Sequence, residues 1–378
     1  MTDTTITITR LLTDKLALNH SRTDGQAIAL PLAKGEALLK ISRVAITTNN
    51  ITYAAFGDAM QYWGFFPTRD DAWGHMPVWG FADVVASTVS GVEVGERFYG
   101  YFPIASHLRV VPERVTPRGF YDGAEHRKSL TSAYNQYTRC SQDPAYARER
   151  ENHQMLVRPL FITSFMLADF LQGNAYFGAK RVVVSSASSK TAYGTAFCLQ
   201  GERDVQLVAL TSRRNRAFVE SLGCYRQTTT YDALESIGRD MPTLYVDFSG
   251  DESLRERVHL HFGDALAYDC FAGSAQNTNF LRDTGLPGPK PQFYFAPVQI
   301  RKRNADWGHA LVNQKFNAAQ SSFIERLSDA ARPWMKIAES KGFAAAQALI
   351  EQLHAGTADP LAGHVVVLDE PSTGQPLR

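Results

Sequence analysis

The 378-residue sequence predicts an α/β protein with two domains, one a β-rich barrel and the other a doubly wound parallel sheet. Three observations support this prediction. Residues 1–115 contain many short strand-like runs separated by glycine turns, which is typical of a compact barrel. Residues 157–300 alternate buried strand patterns with helical patterns, as a doubly wound sheet does. The chain is also long enough for each domain to bury a core of its own.

The composition limits the classes of partner and compartment. Hydrophobic residues make up 44% of the chain and charged residues 20%, as in globular proteins. The net charge of +1 gives no reason to expect nucleic acid or an anionic membrane as a partner. We expect neither a signal peptide nor a membrane span, because the sequence has no basic and apolar leader and no apolar run of sufficient length. The widely spaced cysteines predict reduced, packed thiols in a cytoplasmic protein rather than disulfides or a zinc site (Cys140, Cys198, Cys224 and Cys270). We expect the partner to be a small molecule.

Strands are predicted in the first domain wherever apolar residues alternate between turn signals. They fall at residues 5–11, 36–47, 83–89 and 105–111. Residues 116–155 are polar and rich in Arg, Tyr and Ser, so we interpret them as an excursion that lies over a cleft or at a subunit contact. Residues 156–171 then form an apolar helix that leads into the second domain.

Residues 181–214 have the length and pattern of one βαβ unit. A buried strand is followed by small and hydroxyl residues, a helix and a second strand. Ser186, Ser189 and Ala192 stand at the i, i+3 and i+6 spacing of the glycines in the dinucleotide-binding fingerprint. The start of such a helix binds phosphate through its free N–H groups. None of the three is glycine, so an ordinary turn of a doubly wound sheet is the alternative.

The end of the second strand distinguishes the two nicotinamide cofactors. An NAD-binding unit places an acidic residue there, whereas this chain has hydroxyl and guanidinium groups, which suit the 2′-phosphate of NADP(H). Cations in a first helical turn also oppose the helix dipole, which favours a ligand over a solvated basic turn. Lys190 either donates to a phosphate or is a solvent-facing turn lysine. The residues predicted to bind the cofactor are Ser186, Ser188, Ser189, Lys190, Thr191, Ala192, Thr211, Ser212, Arg213 and Arg214.

The rest of the chain completes the sheet and returns to the first domain. A helix is predicted at 217–222, strands at 244–248, 265–271 and 363–368, and helices at 310–328 and 334–353. The segment 281–309 is rich in Pro, Gly and aromatic residues, and we interpret it as the crossing between domains.

The order of these parts resembles the medium-chain dehydrogenase/reductase superfamily along most of the chain, and most of all its zinc-independent quinone oxidoreductase branch. The motifs that carry the resemblance are PVWG at 77–80, GERFYGY at 95–101, the 181–214 unit, SLGC at 221–224 followed by Tyr231, VDFSG at 246–250 and HVVVLDE at 364–370. The resemblance implies a GroES-like β-barrel domain of residues 1–156 and 301–378 and a Rossmann domain of residues 157–300. It also implies that Tyr231, Ser249 and Gly250 lie at the cofactor, and that the protein is a homodimer joined through edge strands.

The zinc-binding members of this superfamily carry His-Glu directly after the glycine that matches Gly80. Here Phe81 and Ala82 stand in those positions, and neither side chain can ligate a metal. The closely spaced cysteines of the structural zinc lobe are also missing from the sequence. We therefore expect no metal.

Without a metal, the protein must orient a hydride acceptor and stabilise the charge that develops on its oxygen. Tyr53 is the first candidate for the proton donor and Asn50 the second, because residues 47–53 match the segment that brings polar side chains to the cleft in this superfamily. The alternative for Tyr53 is a packed core tyrosine. The aromatic residues at 62–66, with Trp73 and Trp79, form a substrate wall, part of the core or a dimer contact.

Three functions are consistent with these observations. The first is an NADPH-dependent reductase that acts on an activated C=C bond or a quinone-like carbonyl. The second is an NADPH-binding sensor or a catalytically silent protein of the same fold. The third is an interaction protein that has lost the cofactor.

Overall fold

The computed structural model describes residues 4–272 and 285–368. Asp369 and Glu370 of the C-terminal motif lie outside the described residues. The strands in the described part are β1 (Thr4–Asp14), β2 (Ser21–Leu30), β3 (Ala37–Ala45), β4 (Trp73–Gly74), β5 (Pro77–Ser87), β6 (Arg97–Pro103), β7 (His107–Val110), β8 (Pro112–Thr116), β9 (Gly119–Asp122), β10 (Gln136–Arg139), β11 (Arg181–Val184), β12 (Gln206–Thr211), β13 (Gln227–Thr230), β14 (Thr243–Asp247), β15 (Leu266–Phe271), β16 (Gln292–Phe293), β17 (Lys336–Lys341) and β18 (Ala362–Val367). The α-helices are α1 (Thr48–Ala55), α2 (Glu151–Gly173), α3 (Lys190–Cys198), α4 (Arg216–Leu222), α5 (Glu252–Phe262), α6 (Ala296–Trp307), α7 (His309–Leu327) and α8 (Gly342–His354).

The chain divides into two compact units. The first unit holds residues 1–156 and 337–378, and the second holds residues 157–336. Residues 301–336, which the sequence placed in the first domain, therefore belong to the second unit. The physical reason is the packing of α6 and α7: Arg303 forms an ion pair with Asp169 of α2 at 2.6 Å, and Phe323 stacks on Phe161 at 4.5 Å between ring centroids.

Two further sequence predictions in this region were wrong. Residues 281–284 of the predicted Pro-rich crossing lie outside the described residues. The rest of it, 285–309, does not lead directly back to the first domain, since α6 forms within it and Pro297 occupies the first turn of α6, where proline is tolerated. The helix predicted at 334–353 begins only at Gly342, because residues 336–341 form β17.

The first unit is built from two sheets, one of three strands in the order β2-β1-β4 and one of nine strands. The larger sheet has the order β17-β18-β3-β5-β6-β10-β9-β8, with β7 also paired to β3. Its central strands carry the core: Leu39, Ile41 and Val44 of β3 and Val78 of β5 are fully buried. This mainly antiparallel arrangement is the β-rich domain that alternation in the sequence predicted.

The glycine of the PVWG motif is required by the close approach of β3 and β5. A Cβ atom at Gly80 would lie 2.3 Å from the carbonyl oxygen of Arg43, well inside contact distance. Phe81 and Ala82 follow it as fully buried core residues. Phe81 packs against Tyr99 with ring centroids 5.3 Å apart.

The second unit contains a six-stranded sheet in the order β13-β12-β11-β14-β15-β16, and every neighbouring pair of strands is parallel. Helices must cover both faces of such a sheet, which explains why Val182, Val183 and Val184 of β11 are all buried. The carboxyl ends of β11, β12 and β14 lie along one edge of the sheet, where doubly wound proteins bind ligands.

One helical stretch in the described part of the chain, residues 148–173, is long and apolar enough to cross a membrane by length and composition alone. A helix in the core of a protein can have the same length and composition. In the stretch at 148–173, 56% of the most apolar window is buried inside the protein.

Candidate active site

The turn between β11 and α3, where the cofactor is predicted to bind, contains a residue with positive φ and ends in a capped helix. Ser186 lies in the left-handed region with φ +47°, which glycine adopts more easily than any other residue. Ser189 is the N-cap of α3, since its side chain accepts a hydrogen bond from the backbone N–H of Ala192 at 3.3 Å. The chain thus builds the turn with serines where the fingerprint has glycines.

Tyr231, which directly follows β13, contacts this turn. Its hydroxyl accepts a hydrogen bond from the backbone N–H of Ser186 at 3.0 Å, and a contact of Tyr231 with the cofactor stays a prediction. Burial raises the pKa of Tyr231, so the hydroxyl stays protonated and can donate in turn. Lys190 and Thr191 begin α3 and are half-buried.

The basic residues after β12 have a neighbour that the sequence analysis missed. Arg213 donates from Nε and Nη2 to Oδ2 of Asp232, at 3.0 and 2.5 Å. The hydrogen bonds from Arg213 hold the pKa of Asp232 at about 2. Both side chains are exposed, so the guanidinium of Arg213 is accessible from solvent. Asp232 directly follows Tyr231 in the sequence, and this adjacency was a signal that Asp232 lies near the predicted cofactor residues.

The other predicted residues of this region are divided between the turn and the sheet. Asn215 donates to the hydroxyl of Ser188 at 3.0 Å and so joins the turn to the end of β12. Thr211 is buried, Ser212 is half-buried and Arg214 is exposed.

Ser249 and Gly250 surround a buried carboxylate that the sequence analysis did not single out. Oδ1 of Asp247, at the end of β14, accepts hydrogen bonds from the backbone N–H groups of Ser249 (2.8 Å) and Gly250 (3.1 Å) and from the hydroxyl of Ser185 (2.9 Å). Asp247 is fully buried, and its Oδ2 is bound by Arg255 at 2.6 Å. Asp247 therefore ties the ends of β11 and β14 together.

The same network continues to His259 of α5. Its Nε2 lies 2.8 Å from Oδ2 of Asp269, and its Nδ1 lies 2.7 Å from the carbonyl oxygen of Pro287. Burial opposes the charged form of His259, but the hydrogen bonds to Asp269 and Pro287 outweigh it and raise its pKa. Because both ring nitrogens face acceptors, the imidazolium form satisfies both contacts.

Tyr53 lies on α1 of the first unit and is 7% exposed. Its hydroxyl oxygen accepts a hydrogen bond from Nε1 of Trp79 at 3.3 Å, and its ring packs 4.7 Å from that of Tyr62. Burial, reinforced by Tyr62, raises the pKa of Tyr53 well above its usual value. The hydroxyl is therefore protonated at neutral pH, as a proton donor must be.

The side-chain amide of Asn50, the second candidate, is hydrogen-bonded to backbone groups. Its Oδ1 accepts from the backbone N–H of Thr47 at 2.7 Å, which completes a capping box at the start of α1, and its Nδ2 donates to the carbonyl oxygen of Pro77 at 2.8 Å. These contacts give Asn50 a structural role in positioning α1. A part in orienting substrate stays a prediction.

The aromatic residues near Tyr53 divide between a cluster and the core. Tyr62, Phe65 and Phe66 join Tyr53 and Tyr101 in the cluster, with Trp79 packed against it, whereas Trp63 belongs to the main core of the first unit. Trp73 instead packs under the guanidinium of Arg22 at 4.1 Å.

Among residues 4–272 and 285–368, no group of three or more His, Cys, Asp or Glu side chains is arranged to hold a metal ion. The expected absence of zinc stays a prediction.

Solved structures of the same fold are found across nearly the whole chain. CurA from Vibrio vulnificus in complex with NADPH has a TM-score of 0.61 and 13% identity, over 96% of this chain and 100% of that chain. The yhdH oxidoreductase from Salmonella enterica in complex with NADP has a TM-score of 0.52 and 13% identity, over 96% and 100%. A putative NADPH:quinone reductase from Bacillus thuringiensis has a TM-score of 0.51 and 12% identity, over 96% and 100%.

These likenesses confirm the predicted fold, a GroES-like β-barrel domain with a Rossmann domain. Residues 44–359 match the sequence profile described as "Protein of unknown function (DUF2855)", so the chain belongs to that family. No curated protein sequence matches the chain.

Proposed function

We propose that the protein is an NADPH-dependent, zinc-independent oxidoreductase that transfers hydride to an activated C=C bond or a quinone-like carbonyl. The observation that carries this proposal is the turn after β11, where Ser186 takes up a left-handed conformation, Ser189 caps α3 and Tyr231 closes the loop. The NADPH and NADP complexes of CurA and the yhdH oxidoreductase, which share the fold, support the choice of cofactor.

The residues of the turn fit a pyrophosphate. α3 begins directly after small residues, so a phosphate can approach the positive end of the helix, where the hydroxyl of Ser188 adds a donor. Asp247 fixes the backbone of Ser249 and Gly250 at the neighbouring strand end. Arg213 and Arg214 would hold the 2′-phosphate, with Arg213 exchanging Asp232 for the ligand. Bound NADPH supplies the hydride.

Tyr53 would supply the proton. Since its oxygen accepts from Nε1 of Trp79, its own hydrogen is directed to another acceptor, and a substrate oxygen can take that place. One hydride and one proton together reduce a quinone to a hydroquinone, or an enone to an enol that then tautomerises to the ketone. Burial keeps the proton on Tyr53 until the acceptor oxygen becomes basic.

Binding and turnover together test the proposal. We expect titration calorimetry to show one NADPH per chain, and we expect NADPH to be oxidised when a panel of enones and quinones is added. NADPH binding without turnover on any acceptor would instead favour the sensor. No binding of NADPH or NADH would favour the interaction protein.

We also propose a homodimer joined through β16. This strand ends the six-stranded sheet, and Phe293 on it is 45% exposed beside Phe295, which is 38% exposed, with their rings 6.0 Å apart. An edge strand with exposed aromatic side chains is a surface that proteins usually cover. Light scattering at micromolar concentration tests this, and a monomer would contradict it.

The four cysteines support a reducing, cytoplasmic location. All of them are free thiols, and Cys140, Cys224 and Cys270 are buried. Disulfides are rare in that compartment, so a chain that forms none fits it.

A further inference from the structure

The ring of Tyr134 lies among the side chains of the aromatic cluster around Tyr53. Five rings surround it, with centroid distances of 4.7 Å to Tyr101, 5.3 Å to Phe65, 5.6 Å to Tyr62, 6.0 Å to Trp79 and 6.1 Å to Tyr53. Aromatic pairs attract each other at such distances in tilted and edge-to-face arrangements. The position is therefore one that holds a flat ring.

Tyr134 comes from a different part of the chain than its neighbours. It lies on the short 3₁₀ helix Ser132–Asn135, within the 116–155 excursion, whereas the other rings come from α1, residues 62–65, β5 and β6. Asn135 anchors this helix by donating to the carbonyl oxygen of Arg127 at 3.1 Å. Thr131, Ser132 and Ala133 on the other side are exposed. The ring thus extends into the cluster from a short segment with an exposed outer face.

The polar groups of the cluster suit an uncharged acceptor with a carbonyl oxygen. The hydroxyls of Tyr62 and Tyr134 lie 3.2 Å apart, and the hydroxyl of Tyr101, a fully buried residue, has no hydrogen-bond partner among the described residues. A buried donor of this kind is stabilised by an acceptor from a ligand. The nearby Arg127 is neutralised by Asp122 at 3.2 Å, so the cluster offers no net charge to an ionic acceptor.

We propose that Tyr134 is the specificity-determining residue of the acceptor site, because its ring lies where the flat conjugated ring of the acceptor binds. This inference rests on the proposed oxidoreductase function. An acceptor ring that enters the cluster competes with the ring of Tyr134 for the same aromatic contacts. The volume that the Tyr134 ring occupies therefore limits the size of acceptor that fits. The excursion at 116–155 would then be the part of the chain that adapts the common fold to its own substrates.

Replacing Tyr134 tests the proposal through acceptor size. Tyr134→Ala enlarges the site, so we expect the ratio of kcat/KM for naphthoquinone to that for benzoquinone to rise by roughly tenfold or more, the range in which pocket size discriminates between ligands. Tyr134→Phe keeps the ring and should leave the ratio unchanged. Tyr121→Ala is the matched control, since Tyr121 is a half-buried tyrosine of the same excursion that packs under Arg114 outside the cluster.

The outcomes separate this inference from the proposed function. An unchanged ratio in a folded Tyr134→Ala protein that still oxidises NADPH would overturn the role of Tyr134 alone. If the wild-type protein oxidises no NADPH with any acceptor, the proposed function fails, and calorimetric binding of naphthoquinone then decides about Tyr134. Tighter binding to Tyr134→Ala than to wild type would support its role, and equal binding would overturn it.

Discussion

The substitution Tyr53→Phe separates a catalytic hydroxyl from a structural one. In the structure the hydroxyl of Tyr53 accepts a hydrogen bond from Nε1 of Trp79 at 3.3 Å, and it also interacts with Asn49 and Tyr134. Trp79 is half-buried and can regain water, so losing this bond should cost no more than about 1 kcal/mol of unfolding free energy. If the hydroxyl delivers the proton, kcat should fall by roughly 10²–10⁴-fold.

Tyr137→Phe is the matched control. The hydroxyl of Tyr137 is fully buried and donates to the carbonyl oxygen of Tyr101 at 2.7 Å, so its removal leaves a buried acceptor unpaired. We expect this variant to lose about 1–3 kcal/mol of stability while kcat per folded molecule is kept.

Both variants are assayed in the same way, by NADPH oxidation with a quinone acceptor and by thermal unfolding of the same preparation. The pKa of Tyr53 is raised by burial, so wild-type kcat should not decline through loss of the Tyr53 proton below about pH 10. An unchanged kcat with a lowered Tm in Tyr53→Phe would refute the catalytic role and place Tyr53 with Tyr137 as a packed tyrosine.

Three further predictions follow from the second unit. Asp232→Asn releases Arg213 and should tighten NADPH binding severalfold without changing NADH binding. Replacing both Arg213 and Arg214 by Ala should instead weaken NADPH binding by roughly 10–100-fold. Equal affinity of the wild-type protein for NADPH and NADH in calorimetry would contradict this assignment. Because the pKa of His259 is raised in the folded state, its contribution to the free energy of unfolding is complete below about pH 6.5 and is lost as pH rises through the folded-state pKa. The free energy of urea unfolding should therefore fall with pH over this range in the wild-type protein, and this fall should be absent in His259→Gln. Phe293→Glu should convert a dimer to a monomer in light scattering while Tm at low concentration is kept, and a dimer that persists would exclude β16 as the interface.

The sequence predicted those parts of the fold that have local signals. The run at 181–184 is β-branched and buried, so β11 and the unit around it were recognisable. The assignment of 301–336 failed because Pro and Gly near 285–297 imitate a linker, and only the contacts of Arg303 and Phe323 show which unit these helices cover. α1 was missed as a helix, although the capping box formed by Thr47 and Asn50 was a local signal for it.

The sequence could propose only those residues of the candidate site that have a local signal, and their roles stay predictions. The serines of the turn and Tyr231 could be named because a known spacing and a motif order point to them. Asp247 and Arg255 could not, since their roles depend on partners from separate strands and a helix. Tyr134 lies far in sequence from Tyr53 and Tyr62, and no pattern in a polar excursion indicates that one of its rings enters an aromatic cluster.

The central claim is tested most directly by the rate of NADPH oxidation by the purified protein in the presence of a chelator, with and without a quinone or enone acceptor. The account predicts an acceptor-dependent rate that the chelator does not change and that is greater with NADPH than with NADH. An acceptor-independent or absent rate across the panel, or a rate that the chelator abolishes, would contradict it.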